Sequence, residues 1–210
     1  YDKDGRKYDE GKKINNKKDG EWLKYHKNGT IKAKISYAND LKNGKEVRYY
    51  DTGKIQTEYN YIDDKKDGEA YGYYENGNRK NKLNYKNGQL SGKCYYYYED
   101  GSIKSEYKFI YKGRHIPSLK ITINEWDEDG EPLVSDGEGR YIEFYDNGNK
   151  KLEENYKNGQ PNGERRWYYE NGQLGKESRH IYTSAYERPE EIVISIWNEE
   201  GELLVDDGNG

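Results

Sequence analysis

Glycine returns on a 24-residue period through the first half of this chain, at Gly5, Gly29, Gly53, Gly77 and Gly101. From Gly29 on, each of these closes a short aromatic-polar phrase: YHKNG, YYDTG, YYENG and YYEDG, followed by FYDNG at Gly148 and YYENG at Gly172. A period in the twenties builds one supersecondary element per unit and stacks it on its neighbours. Such a chain presents an extended surface, and it has little means of enclosing a pocket.

With each of these glycines set as position zero, nine turns can be placed, the remaining ones at Gly130 and Gly201. Asn-Gly and Asp-Gly tolerate the positive φ of a two-residue type I′ turn. That turn sets position −3 opposite +2, so Tyr50 should face Ile55 and Tyr98 should face Ile103. It also sets −4 opposite +3, bringing Lys32, Lys80, Lys104 and Lys151 beside aromatic rings.

Position −4 is aromatic throughout: Tyr25, Tyr49, Tyr73, Tyr97, Trp126, Phe144, Tyr168 and Trp197. Tyr50, Tyr74, Tyr98, Tyr145 and Tyr169 form a second column at −3, with His26 in their place in one unit. Apart from the two Trp, these residues are expected to form a structural ladder. After the turn the apolar residues fall on even positions, which is strand periodicity. Counted this way, aromatic and charged residues mix on both faces, and neither face is clean enough for a sandwich or barrel. The expected fold is all-β: an elongated single-layer antiparallel meander of about nine tandem hairpins.

A 71-residue superrepeat overlies the short one, carrying Gly77 to Gly148 and Gly130 to Gly201. The chain therefore reads as one repeat domain over 1–210, with blocks at about 68–138 and 139–209 and a partial repeat at 1–19. Each block holds a more aliphatic Trp hairpin, after an irregular connection at 110–119 or 181–190 that contains Pro117 or Pro189. These connections break the uniformity and carry Arg and aromatic anchors. Arg114, His115, Trp126, Tyr186, Arg188 and Trp197 are the candidate partner-binding residues.

Only 31% of residues are apolar and 36% are charged, a balance that usually means disorder, but 25 Tyr and 4 Trp in strict register oppose it. A net charge of −4 with interleaved signs offers no field for nucleic acid and none for anionic lipid. No apolar run approaches the roughly 18 residues of a membrane helix. Three His and the lone Cys94 form no metal-ligand spacing, and no nucleophile motif is present, so no enzyme, metal or cofactor is expected. A small-molecule ligand is not expected either. The start at Tyr1 and the absence of Met read as a trimmed piece, which favours an exported or cell-envelope location over the cytoplasm.

The run Gly163–Glu177, GERRWYYENGQLGKE, and its partial copies at 68–92 and 139–163 resemble the bacterial MORN-repeat variant found in YwqK-family antitoxins. The resemblance covers essentially the whole chain. It implies a β-hairpin meander and a protein-binding role, with neutralisation of a toxin as the activity, and it carries no catalytic residues. Asn-Gly turns and fewer Gly-x-Gly pairs depart from the eukaryotic MORN pattern, which argues against lipid binding. The function expected is thus a non-catalytic protein-binding module, antitoxin-like or immunity-like, that docks its partner on a sheet face or at an open edge. The alternatives are an exported surface or adhesion array, and a carbohydrate-binding surface on Trp126 and Trp197.

Overall fold

A computed structural model describes residues 8–113, 115–184 and 187–206. It divides into two compact units, one of Tyr1–Ile103 with Phe109–Ser118, the other of Lys104–Lys108 with Leu119–Gly210. Among the described residues there is no helix, and every strand pairing is antiparallel.

The first unit runs through β1 (Asp9–Ile14), β2 (Lys17–Tyr25), β3 (Ile31–Ala38), β4 (Leu41–Tyr49), β5 (Ile55–Ile62), β6 (Lys65–Lys66), β7 (Gly68–Tyr73), β8 (Arg79–Lys86), β9 (Gln89–Leu90) and β10 (Gly92–Tyr97). β11 (Ile103–Ile110) contributes residues to both units. The second unit holds β12 (Leu119–Trp126), β13 (Pro132–Ser135), β14 (Glu138–Phe144), β15 (Lys150–Lys157), β16 (Gln160–Tyr168), β17 (Leu174–Ile181), β18 (Glu190–Trp197) and β19 (Leu203–Asp206). From β1 to β5, and again from β12 to β19, each strand pairs with the next, which is a meander. β6 with β7, and β9 with β10, are single strands broken by a bulge at Gly68 and Gly92, both at positive φ.

Two classes of turn alternate. The type I′ turns lie between the repeated phrases, at Asn15-Asn16, Asn39-Asp40, Asp63-Asp64, Asn87-Gly88, Asp136-Gly137 and Asn158-Gly159, where both residues have positive φ. At the phrase glycines only the glycine does: φ is 86° at Gly29 and 83° at Gly53. The Gly53 N–H donates to the Tyr50 carbonyl and the Tyr50 N–H to the Lys54 carbonyl, which is a three-residue loop ending in a left-handed glycine.

This corrects the expected register. The extra loop residue sets Tyr49 opposite Ile55, so Tyr50 flanks the loop and does not face Ile55. Tyr98 likewise donates its N–H to Ser102 and not across to Ile103. The +3 lysines move with the register: Lys80 lies 5.3 Å from the ring of Tyr74 and Lys151 5.8 Å from that of Tyr145, both rings of the −3 column.

The expectation of two equally mixed faces also fails. In the first unit the register lines up Trp22, Ile35, Glu46, Tyr59, Ala70, Leu83 and Cys94 across seven strands. All but the half-buried Tyr59 are at most 8% exposed. These are positions −7 and +6, which bulges in each hairpin bring opposite one another. Ala70, Leu83 and Cys94 form the centre of this core, with Tyr59, Tyr85, Tyr96 and Phe109 packed on it.

In the second unit the corresponding row carries polar residues at its centre: Tyr141, Glu154, Arg165, Ser178 and then Val193. Burial here gathers where two type I′ turns meet β12. Gly159 donates to the Gly137 carbonyl and accepts from Thr122, while Gly137 donates to Ile123. A Cβ on Gly159 would stand 2.3 Å from Cγ2 of Ile121, so only glycine fits this approach.

Candidate binding surface

The repeated phrase is occupied in joining hairpins. Tyr50 donates its hydroxyl to the carbonyl of Tyr73, Tyr74 to Tyr97 and Tyr145 to Tyr168, each at 2.8 Å, and Tyr169 donates to Trp197 at 3.0 Å. His26 reaches the carbonyl of Tyr49 in the same way. One layer further out, Asn76, Asn147 and Asn171 donate their amides to the carbonyls of Glu99, Glu170 and Glu199. At −4 the hydroxyls turn back to acids of the preceding hairpin: Tyr25 to Glu10, Tyr73 to Glu58 and Tyr168 to Glu153. Phe144 lacks the hydroxyl and is 56% exposed.

Of the six candidate contact residues, His115 falls in the first unit, and Trp126, Arg188 and Trp197 in the second. Arg114 and Tyr186 lie outside the described residues. Trp126 and Trp197 occupy half-buried strand-end positions in the second unit, paired with Pro132 and Leu203, and the backbone carbonyl of Trp197 accepts the Tyr169 hydroxyl. Arg188 is exposed. His115 lines an open cleft of about 420 Å³ with Gln89, Leu90, Phe109, Pro117 and Ser118, all in the first unit. Gln89 pins the connection there, donating to the Gly113 carbonyl and accepting from Ser118. The cleft floor, Leu90 and Phe109, continues the Ala70–Leu83–Cys94 core.

A second feature was missed in the sequence. Glu46 stands in the −7 column, where its neighbours are Trp22, Ala70 and Cys94, and it is fully buried. Burial alone would raise its pKa, but hydrogen bonds from Lys42 and Arg48 overcome it and hold the carboxyl below its usual range. It is therefore ionised at neutral pH. Around it a groove of about 190 Å³ is lined by Lys24, Lys32, Ala33, Lys42 and Arg48, with Tyr8, Tyr25 and Ile35. The signal was in the sequence: in the first unit, one acid in a column otherwise apolar or small, with a base four residues before and another two after.

A line of cations and rings crosses the same face. The ammonium of Lys18 lies 5.3 Å from the Tyr37 ring, Lys42 4.7 Å from Tyr61, and Lys66 3.6 Å from Tyr59 and 4.9 Å from Tyr85. Burial lowers the pKa of Lys66 and, with Glu46, pushes that of Tyr61 up to about 12. Among the described residues no group of three or more His, Cys, Asp or Glu could hold a metal ion.

Alternating turns, bulged antiparallel hairpins and a hydroxyl-to-carbonyl seam between units define an open β-hairpin repeat protein. The chain belongs to the MORN repeat variant family, whose pattern matches residues 18–39, 42–63, 66–87, 90–111, 137–158 and 161–178. Four of the six matches end on the first residue of a type I′ turn, at Asn39, Asp63, Asn87 and Asn158, so the family's unit is the hairpin around the phrase glycine. MORN repeats are non-catalytic repeat modules in general. No curated protein matches the sequence.

Proposed function

We propose that this chain is a protein-binding module that holds its partner at the first irregular connection, in an antitoxin-like role in which binding itself neutralises the partner. The observation that carries the reading is the cleft at His115. The repeat aromatics are spent on joining hairpins, whereas Leu90, Phe109 and Pro117 leave apolar surface open beside an exposed imidazole. Such a recess accepts a partner's anchoring side chain and is too open to sequester a reaction from water. The antitoxin-like role draws on the resemblance of the GERRWYYENGQL run and its copies to proteins of that kind.

The test is cross-linked capture of the partner, followed by affinity measurement with the purified partner. Replacing Arg114, His115 and Arg188 together by Ser should weaken binding about 30-fold, the scale of one lost hot spot, at unchanged melting temperature. Equal affinity of the triple variant would place binding elsewhere. Recovery of only a small molecule that the protein converts would end the binding-module reading.

A further inference from the structure

We propose that the groove above Glu46 is a second, electrostatic docking site, and that it takes an extended acidic segment of a protein partner. The inference rests on the protein-binding reading and gives the partner's chemistry.

The groove has a local cause. Lys24, Ala33 and Arg48 stand directly opposite one another on β2, β3 and β4. The two cations are thus two strands apart, roughly 10 Å, with only a methyl group between them. Lys32 and Lys42 complete the lining, so four cations surround one carboxylate. That carboxylate is spent: it lies beneath the groove, fully buried, and its oxygens are taken by Lys42 and the Nε of Arg48. Arg48 remains about half exposed, and among the described residues neither Lys24 nor Lys32 has a carboxylate partner. Asp9 stands opposite Lys24 but is paired with Lys18, so the groove keeps more cations than carboxylates, a field that an incoming anion relieves.

The shape favours a segment over a single small anion. Lys24 and Arg48 stand at the same position of alternate strands, on either side of Ala33. Their step, roughly 10 Å, equals about three residues of extended chain. An extended peptide with an acid at every third residue meets Lys24 and Arg48 in turn, with Ala33 between them and Lys32 beside them.

The probe is a fluorescein-labelled peptide of four Glu-Ser-Gly triplets, followed by anisotropy with the full chain in low salt. Binding is expected, weakening at least tenfold between 50 and 300 mM NaCl as phosphate-free ion pairing requires. Lys24→Gln with Lys32→Gln should weaken it at least tenfold, while Lys17→Gln with Lys27→Gln, which leaves the groove untouched, should not. Melting curves of all variants show that the fold is kept. No binding by the parent chain, or equal binding by the Lys24/Lys32 variant, overturns the proposal. Full displacement by equimolar inorganic phosphate also overturns it, because the groove would then be a site for small anions. If the captured partner still binds the Lys24/Lys32 variant undiminished, this site falls and the protein-binding reading stands.

Discussion

The hydroxyl of Tyr74 donates to the backbone carbonyl of Tyr97, 2.8 Å away and 23 residues along the chain. It is the seam between two consecutive hairpins, and the same bond recurs from Tyr50 and Tyr145. Tyr74→Phe keeps the ring and removes the donor, so it should cost about 1 kcal/mol. Tyr74→Ala removes the packing as well and should cost about 2–4 kcal/mol. Urea denaturation measures both, and a Phe variant as stable as the parent would show that the hydroxyl seam is idle.

Glu46 should be the most sensitive single acid in the first unit. Glu46→Ala strands Lys42 and Arg48 beside a buried gap, and a loss of about 3 kcal/mol is expected, the low end for breaking a buried pair because Arg48 is half exposed. Its carboxyl titrates lower folded than unfolded. The stabilisation is therefore complete above the ordinary value of 4.5 and disappears as pH falls through the lower folded value. Between pH 6 and pH 3 the parent should lose more stability than Glu46→Gln does.

Glu125 should behave in the opposite sense. It is 8% exposed, and burial raises its pKa despite a hydrogen bond from Tyr107. A carboxyl that titrates higher folded than unfolded favours the fold at low pH, and that advantage is lost as pH rises through the folded value. Glu125→Gln should therefore stabilise the protein at pH 7 and change little at pH 3.5. Equal effects at the two pH values in denaturant melts would contradict the assignment.

Cys94 is 0% exposed, and burial pushes its thiol pKa up. Its reaction with a disulfide reagent should be slow in the native state and should speed up by orders of magnitude in denaturant. The labelling rate thus reports opening of the Ala70–Leu83–Cys94 cluster, and rapid labelling without denaturant would mean that the cluster is loose.

The repeat and its strand content were legible because they are properties of spacing. The register was not. Asn-Gly at Gly77 and at Gly88 looks alike in sequence, yet only Asn87-Gly88 takes the two-residue turn, while Asn76 spends its side chain on Asn78 and Glu99. The two turns differ in the contacts they make with neighbouring hairpins, Asn76 with the Glu99 carbonyl and Asn87 with Asp67 and Tyr111, and spacing does not show these. The buried face was hidden for the same reason, since Trp22 and Ile35 meet only once the bulges are counted. Of the candidate site, His115 and Pro117 were visible as breaks in the period. The Glu46 groove was masked by its surroundings, where acids and bases alternate so densely that one unbalanced cluster does not stand out.

The seam bond from Tyr169 to Trp197 spans 28 residues, where those from Tyr50, Tyr74 and Tyr145 span 23. The rung is kept although the connection before β18 holds five more residues. The array thus measures its step in space and not along the chain. The added length is absorbed between hairpins and not within them. A single residue added inside a strand would instead turn every side chain beyond it to the opposite face. The protein therefore has a built-in place where extra chain is taken up without loss of the rung.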